Sequence, residues 1–239
     1  MEILDLDKTF GSLEEKVKNY TTIIMDTGLV NPYFRKKDLT IHSLKSIIKE
    51  MMKGNLNGNK FYLKDYIERV SSLVNKYGIC TIPEVIEECK GAIRLAREEI
   101  GEIKHIKKDN PQAKNTEITL RAYANKLEGI LENIKIEDTN PPLSERGIYL
   151  PLISAALESR KYCGNKSNKL RTDELIVAKA HYLSMEGHKG ILILTTDGDL
   201  PTLSRKVYEI TRNRLKRCIN TVSVYNIMRE IKPESFLTI

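Results

Sequence analysis

Four acidic residues, Asp26, Glu88, Asp173 and Asp197, lie far apart along a 239-residue chain, yet three of them stand at the ends of readable elements. Asp26 closes the β-branched run TTIIM (21–25), and Asp197 follows GILILT (190–195), with Asp199 two residues further on. Asp173 opens a helix directly after a basic loop. Carboxylates drawn to one point repel each other unless a cation neutralises them. An oxygen-only set without His or Cys favours a hard ion, Mg²⁺ or Mn²⁺, which keeps several waters and takes phosphate oxygens. Such an ion lowers the pKa of a bound water and stabilises the charge that develops when a phosphodiester is cleaved. Each acid also has a plain structural reading: Asp26 and Asp199 suit turns, Asp173 a helix N-terminus and Glu88 an exposed helix face. Taken together, the four favour a site.

The elements that must position these residues alternate. Short apolar runs at 21–25, 79–82, 190–195 and 220–225 read as buried strands. Amphipathic spacing predicts helices over 40–53, 63–76, 84–108, 116–134, 144–162, 173–186 and 201–216. Thr40 and Thr172 are the expected N-caps of two of them. Val85, Cys89, Ala92, Ala96, Ile100 and Ile103 trace one face of the 84–108 helix; Ile118, Ala122, Leu127, Ile130, Leu131 and Ile134 trace one face of the next. These two helices suggest an antiparallel hairpin. Strands alternating with helices predict an α/β class with a parallel sheet, whose site lies beyond the carboxyl ends of the strands. Asp26 and Asp197 stand at two such ends.

Composition narrows the function classes. Hydrophobic residues are 41% and charged residues 30% of the chain, an ordinary globular balance. No apolar run reaches the roughly 18 residues of a membrane span, and the acidic start MEILDLDK lacks the apolar core of a secretory signal. Cys80, Cys89, Cys163 and Cys218 are scattered, with no C-x-x-C, so the expectation is reduced cysteines in a cytoplasmic protein. His42, His105, His181 and His188 are isolated, and no Gly-rich phosphate loop is present. The net charge of +7 is uneven. Arg160, Lys161, Lys166, Lys169 and Arg171 cluster at 160–171 with no acid among them, directly before Asp173. A basic loop beside a metal site would hold the phosphates flanking a scissile bond; its plain alternative is a solvated loop. The tyrosines show no pattern of the kind that stacks bases in RNA-recognition domains.

Three segments give the chain a family resemblance. IIMDTGLV (23–30) resembles the first strand of the PIN-domain ribonucleases with its acid and the Thr that follows. TDELIVAKAHYL (172–183) is similar to their D-x-x-I-x-A-x-A helix through Asp173, Ile176, Ala178 and Ala180. LTTDGDL (194–200) is similar to their T-x-D-x-D-F motif, with Leu200 in place of Phe. ICTIPEVIEECK (79–90) resembles their second strand and the helix that carries a glutamate. Spacing from Val85 gives that role to Glu88, with Glu84 and Glu87 as competitors. NTVSVY (220–225) resembles the closing strand.

The resemblance implies a three-layer α/β/α sandwich with a parallel sheet of four or five strands, one PIN-like domain over 1–239. Such domains are much shorter, so helical insertions are expected at about 31–76 and 91–140. It implies an endoribonuclease that cuts single-stranded RNA with Mg²⁺ or Mn²⁺ and leaves a 5′-phosphate and a 3′-hydroxyl. Asp26, Glu88, Asp173 and Asp197 would ligate the metal, and Asp199 would add a ligand or hold a water. Thr195 and Thr27 would orient the site from behind. The 91–140 hairpin carries a modest basic excess; it would brace the fold, bind a protein partner or grip an RNA duplex. A homo-oligomer is compatible with all of this. Two other readings stay open: a silent PIN-like scaffold that binds RNA or protein, and a structure-specific DNA nuclease.

Overall fold

Short apolar strands and amphipathic helices alternate to build an α/β fold. The strands are β1 (Thr22–Met25), β2 (Phe34–Lys36), β3 (Leu39–Ile41), β4 (Cys80–Thr81), β5 (Lys135–Ile136), β6 (Ile191–Thr195) and β7 (Val222–Asn226). The helices are α1 (Leu6–Val17), α2 (Leu44–Met52), α3 (Tyr62–Tyr77), α4 (Pro83–His105), α5 (Pro111–Asn133), α6 (Arg146–Ser159), α7 (Thr172–Met185) and α8 (Leu200–Leu215). The computed structural model describes residues 5–31, 34–36, 39–41, 43–54, 62–105, 110–140, 143–163, 171–215 and 222–227.

Five strands form one sheet in the order β5-β4-β1-β6-β7, and every pairing is parallel. Helices pack against it, which is compatible with a three-layer arrangement. A strand buried on both faces must be apolar throughout rather than alternating. β6 meets that demand with five buried residues in a row, and β1 with Ile23, Ile24 and Met25. Each fully buried Ile or Leu contributes about 1.5–3 kcal/mol of transfer free energy, so this pair of strands anchors the sheet.

The connections fix where a ligand can bind. From β1 the chain passes through α2 and α3 to β4, then through α4 and α5 to β5, all on one side of β1. It returns on the other side as β6 and continues through α8 to β7. The direction of winding therefore reverses between β1 and β6, and parallel α/β sheets open a crevice at the carboxyl ends of such a pair. The register pairs Met25 with Leu194, so β1 ends one residue short of β6. Asp26 and the 195–199 segment leave the sheet side by side.

Several elements differ from the sequence expectation. The 31–76 segment is not wholly helical: β2 and β3 pair as an antiparallel ribbon with Phe34 opposite Ile41. Thr40 lies in β3, and Ser43 takes the N-cap position of α2. Three-residue strands are too short to show an alternation in the sequence. α5 begins at Pro111, capped by the Asn110 side chain, and its buried face runs through Leu120, Tyr123, Ala124 and Leu127. Ile118, assigned to the core stripe, is 45% exposed. The rotation follows from packing, because α5 meets both α4 and α3 and buries a wider stripe than one partner demands. Arg97 on α4 pairs with Glu128 on α5 at 2.6 Å across the antiparallel hairpin. α6 keeps Pro151 inside it, ends at Ser159 and continues as a 3₁₀ turn over Arg160–Cys163.

Candidate metal centre

Asp26 is the innermost acid. Its backbone amide donates to the Leu194 carbonyl at 2.9 Å, which extends the β1–β6 ladder to the acid itself. Its carboxylate is 6% exposed and accepts from the Thr195 hydroxyl at 2.7 Å and the Gly28 amide at 3.3 Å. Burial pushes this carboxyl above the usual range; the Thr195, Gly28 and Thr27 hydrogen bonds pull it back and the Glu88 charge adds to the rise. The turn after Asp26 has no room to spare. A Cβ on Gly28 would stand 2.2 Å from Thr196 Oγ1 and 2.8 Å from the Thr196 backbone nitrogen. Two tyrosines from the presumed insertions hold the same turn. Tyr66 on α3 donates to the Leu29 carbonyl at 2.9 Å and Tyr123 on α5 to the Val30 carbonyl at 3.2 Å, both buried. The 31–76 and 91–140 segments thus brace the loop that carries Asp26.

Glu88, on the second turn of α4, is clamped between two threonines. The Thr27 hydroxyl donates to its Oε2 and the Thr172 hydroxyl to its Oε1. One belongs to the turn after β1 and the other to the start of α7, so Glu88 joins the Asp26 and Asp173 segments. Glu87 pairs outward with Lys90 at 2.7 Å, and Glu84 accepts from Thr139 at 2.9 Å. Of the three glutamates, Glu88 is the one brought to the other acids. Thr172 does not cap α7, as its position suggested. It is the first helical residue, and Arg171 occupies the N-cap.

Asp173 follows in the first turn of α7, where the helix dipole favours a negative charge. Its carboxyl is nevertheless raised from 3.8 to about 7. Burial is the largest cause, followed by the charges of Asp26, Asp197, Glu174 and Glu88. Asp197 hangs from the end of β6: its amide donates to Thr195 Oγ1 at 2.9 Å, and its carbonyl accepts from Asn226 Nδ2 at 2.7 Å. Thr195 therefore serves two acids, donating its hydroxyl to Asp26 and accepting the Asp197 amide. Asp199 lies further out. Its amide donates to Asp197 Oδ1 at 2.7 Å, its carbonyl starts α8 through Leu203 N at 2.9 Å, and its exposed carboxyl is raised by burial and by the Asp197 charge.

Asp26, Glu88, Asp173 and Asp197 thus meet at the β1/β6 crevice, close enough to repel. Among the described residues none of them pairs with Lys or Arg, and no three His, Cys, Asp or Glu side chains stand close enough together to hold a metal ion as they are placed. Asp26, Glu88 and Asp197 are held by hydroxyl and amide donors instead.

The basic residues divide. Arg160, expected to bind nucleic acid, is 3% exposed. It grips Glu174 through two nitrogens, Nε reaching Oε1 at 2.6 Å, and Glu174 also accepts the Arg171 amide at 2.8 Å. A buried carboxylate needs a partner, and Arg160 is that partner, so it is not available to a phosphate. It secures the turn that presents Asp173. Lys161 and Arg171 are exposed. Lys166 and Lys169 lie outside the described residues. Glu174 and Asn226 are the site residues that sequence reasoning missed, and Arg160 and Thr172 take other roles than the sequence suggested. Only the Glu two residues after Arg171–Thr172 gave a signal, as half of a capping pattern.

Compared with known proteins, the chain matches no family model, no curated protein and no solved structure.

Proposed function

We propose that the chain is a metal-dependent endoribonuclease with a PIN-like core. The observation that carries this reading is the convergence of Asp26, Glu88, Asp173 and Asp197 at the winding reversal of a parallel sheet, with no Lys or Arg partner among the described residues. Burying and crowding carboxylates costs folding free energy, and structure alone has no use for it. The donor set is oxygen throughout, which fits a hard divalent ion, Mg²⁺ or Mn²⁺. Asp26, Glu88, Asp173 and Asp197 would hold it, with Asp199 at the rim. When bound, such an ion supplies an activated water and offsets charge on the phosphodiester oxygens.

The chain's own residues do the rest. Thr195 fixes Asp26 and the Asp197 backbone in one geometry, and Thr27 and Thr172 fix Glu88 between them. The Arg160–Glu174 pair keeps the α7 start in place. Exposed Lys161, in the turn after α6, and exposed Arg171, at the N-cap of α7, suit the backbone of single-stranded RNA. Buried free thiols at Cys80 and Cys89 suit a reducing compartment such as the cytoplasm. Among the described residues no helix is long and apolar enough to cross a membrane.

The test is incubation of purified protein with a labelled single-stranded RNA and its DNA counterpart in Mn²⁺, Mg²⁺ or EDTA, beside Asp173→Asn. The reading predicts metal-dependent RNA cuts with 5′-phosphate ends that the variant does not make. Binding without cleavage would favour a scaffold. Cleavage confined to branched DNA would favour a structure-specific nuclease.

A further inference from the structure

The 3₁₀ turn over Arg160–Cys163 is fastened to the acidic crevice at both ends. At one end Arg160 is buried against Glu174, the neighbour of Asp173. At the other, Cys163 Sγ lies 3.8 Å from the Asp199 carbonyl, within the field of Asp199, Asp197 and Asp173. In a 3₁₀ turn residues three apart share a face. Arg160 and Cys163 take the inner face, so Lys161 and Tyr162 take the outer one. Tyr162 is 54% exposed, a large aromatic ring turned to solvent.

The ring is not bare. Lys161 Nζ lies 5.2 Å from its centroid and Lys206 Nζ, on α8, lies 5.1 Å from it. Two ammonium groups from separate elements meet one exposed ring. Each keeps a carboxylate as well, Lys161 with Glu158 at 3.9 Å and Lys206 with Glu209 at 2.7 Å, which helps to fix the pair around the ring. Single-stranded nucleic acid is held by rings that stack bases and cations that take phosphates; here the two ammonium groups lie over the ring and swing out to the phosphates when a base stacks.

We infer that Tyr162, with Lys161 and Lys206, is a base-stacking platform for single-stranded RNA at the rim of the acidic crevice. The platform rests on the nuclease reading for its purpose, but it can be tested without metal or cleavage. It places an unpaired nucleotide on the outer face of the 160–163 turn, whose inner face meets the Asp199 backbone, so the strand enters the crevice over that turn. Stacking tolerates every base, so the platform sets strand position and a preference for unpaired RNA, not sequence.

The chain contains no tryptophan, so Tyr162→Trp creates a single reporter. In EDTA, a uridylate dodecamer should quench its emission, and an abasic ribose-phosphate strand of the same length should not. By anisotropy, Tyr162→Ala should weaken dodecamer binding about 5- to 150-fold and leave the abasic strand unaffected, while Tyr162→Phe retains binding. Lys161→Ala and Lys206→Ala should each lower the log–log salt slope by up to about 0.7. Equal affinity of the two strands for the unaltered protein, or unchanged dodecamer binding in Tyr162→Ala, would overturn the platform. Quenching in a protein that never cuts RNA would retire the nuclease reading and leave the platform standing. Metal-dependent cutting with binding unchanged in Tyr162→Ala would do the reverse.

Discussion

Replacing Asp173 by Asn should stabilise the metal-free protein above neutral pH. The Asp173 carboxyl is raised from 3.8 to about 7 by burial and by four neighbouring acids. A carboxyl that holds its proton more tightly folded than unfolded adds stability at low pH. That contribution is complete below the unfolded value of 3.8, declines as pH rises through the window and is gone above about 7. At about 1.36 kcal/mol per pH unit the whole window corresponds to on the order of 4 kcal/mol, of which roughly 2–3 kcal/mol is lost between pH 5 and pH 8. For a chain of this size that is a melting-temperature change of about 5–10 °C. The assay is a pair of thermal melts in EDTA, at pH 5 and pH 8, for the unaltered protein and Asp173→Asn. The unaltered protein should lose about 5–10 °C more than the variant across that interval. Adding Mn²⁺ at pH 8 should restore the unaltered protein and leave Asp173→Asn where it was. Parallel pH profiles for the two proteins would refute the reasoning, because no crowded, uncompensated carboxylate would then exist at that position.

Three further substitutions test the supports of the site. Arg160→Met leaves Glu174 buried without its partner and should cost about 3–5 kcal/mol in urea denaturation, most of it recovered when Glu174 is also made Met. Thr195→Val removes the hydroxyl that donates to Asp26 and receives the Asp197 amide; a loss of about 1–3 kcal/mol is expected, with weaker Mn²⁺ binding in calorimetry. Gly28→Ala drives a methyl into Thr196, so the Asp26 turn must shift; cleavage should fall by about tenfold or more, with a stability cost of about 1–3 kcal/mol.

The parts of this fold that the sequence made legible are those that burial wrote into it. TTIIM and GILILT are continuous apolar runs because a parallel strand is covered on both faces, and the acids that close them sit where strand ends must be. The start of α7 was legible for a similar reason, with Asp173 in its first turn. β5 was not, since Lys135 and Ile136 are exposed and two residues carry no period. Arg160 looked like a phosphate ligand because charge alone was visible; its burial depends on Glu174, fourteen residues on, which only the folded chain brings to it. Thr172 looked like a cap because local sequence cannot show that Glu88, eighty-four residues away, claims its hydroxyl. The insertions were read as additions to a core, whereas Tyr66 and Tyr123 reach from them to the turn beside Asp26. Tertiary pairing decided each case, and local propensity carries no record of it.

The most direct test of the central claim is the affinity of the acidic crevice for a divalent cation. Calorimetric titration with Mn²⁺ would compare the unaltered protein with Asp26→Asn, Glu88→Gln, Asp173→Asn and Asp197→Asn, and with Glu84→Gln and Glu87→Gln as controls. The account predicts that each of the first four lowers the affinity by about tenfold or more and that the two controls leave it unchanged. Undiminished binding in the first four, or no binding by the unaltered protein, would contradict it.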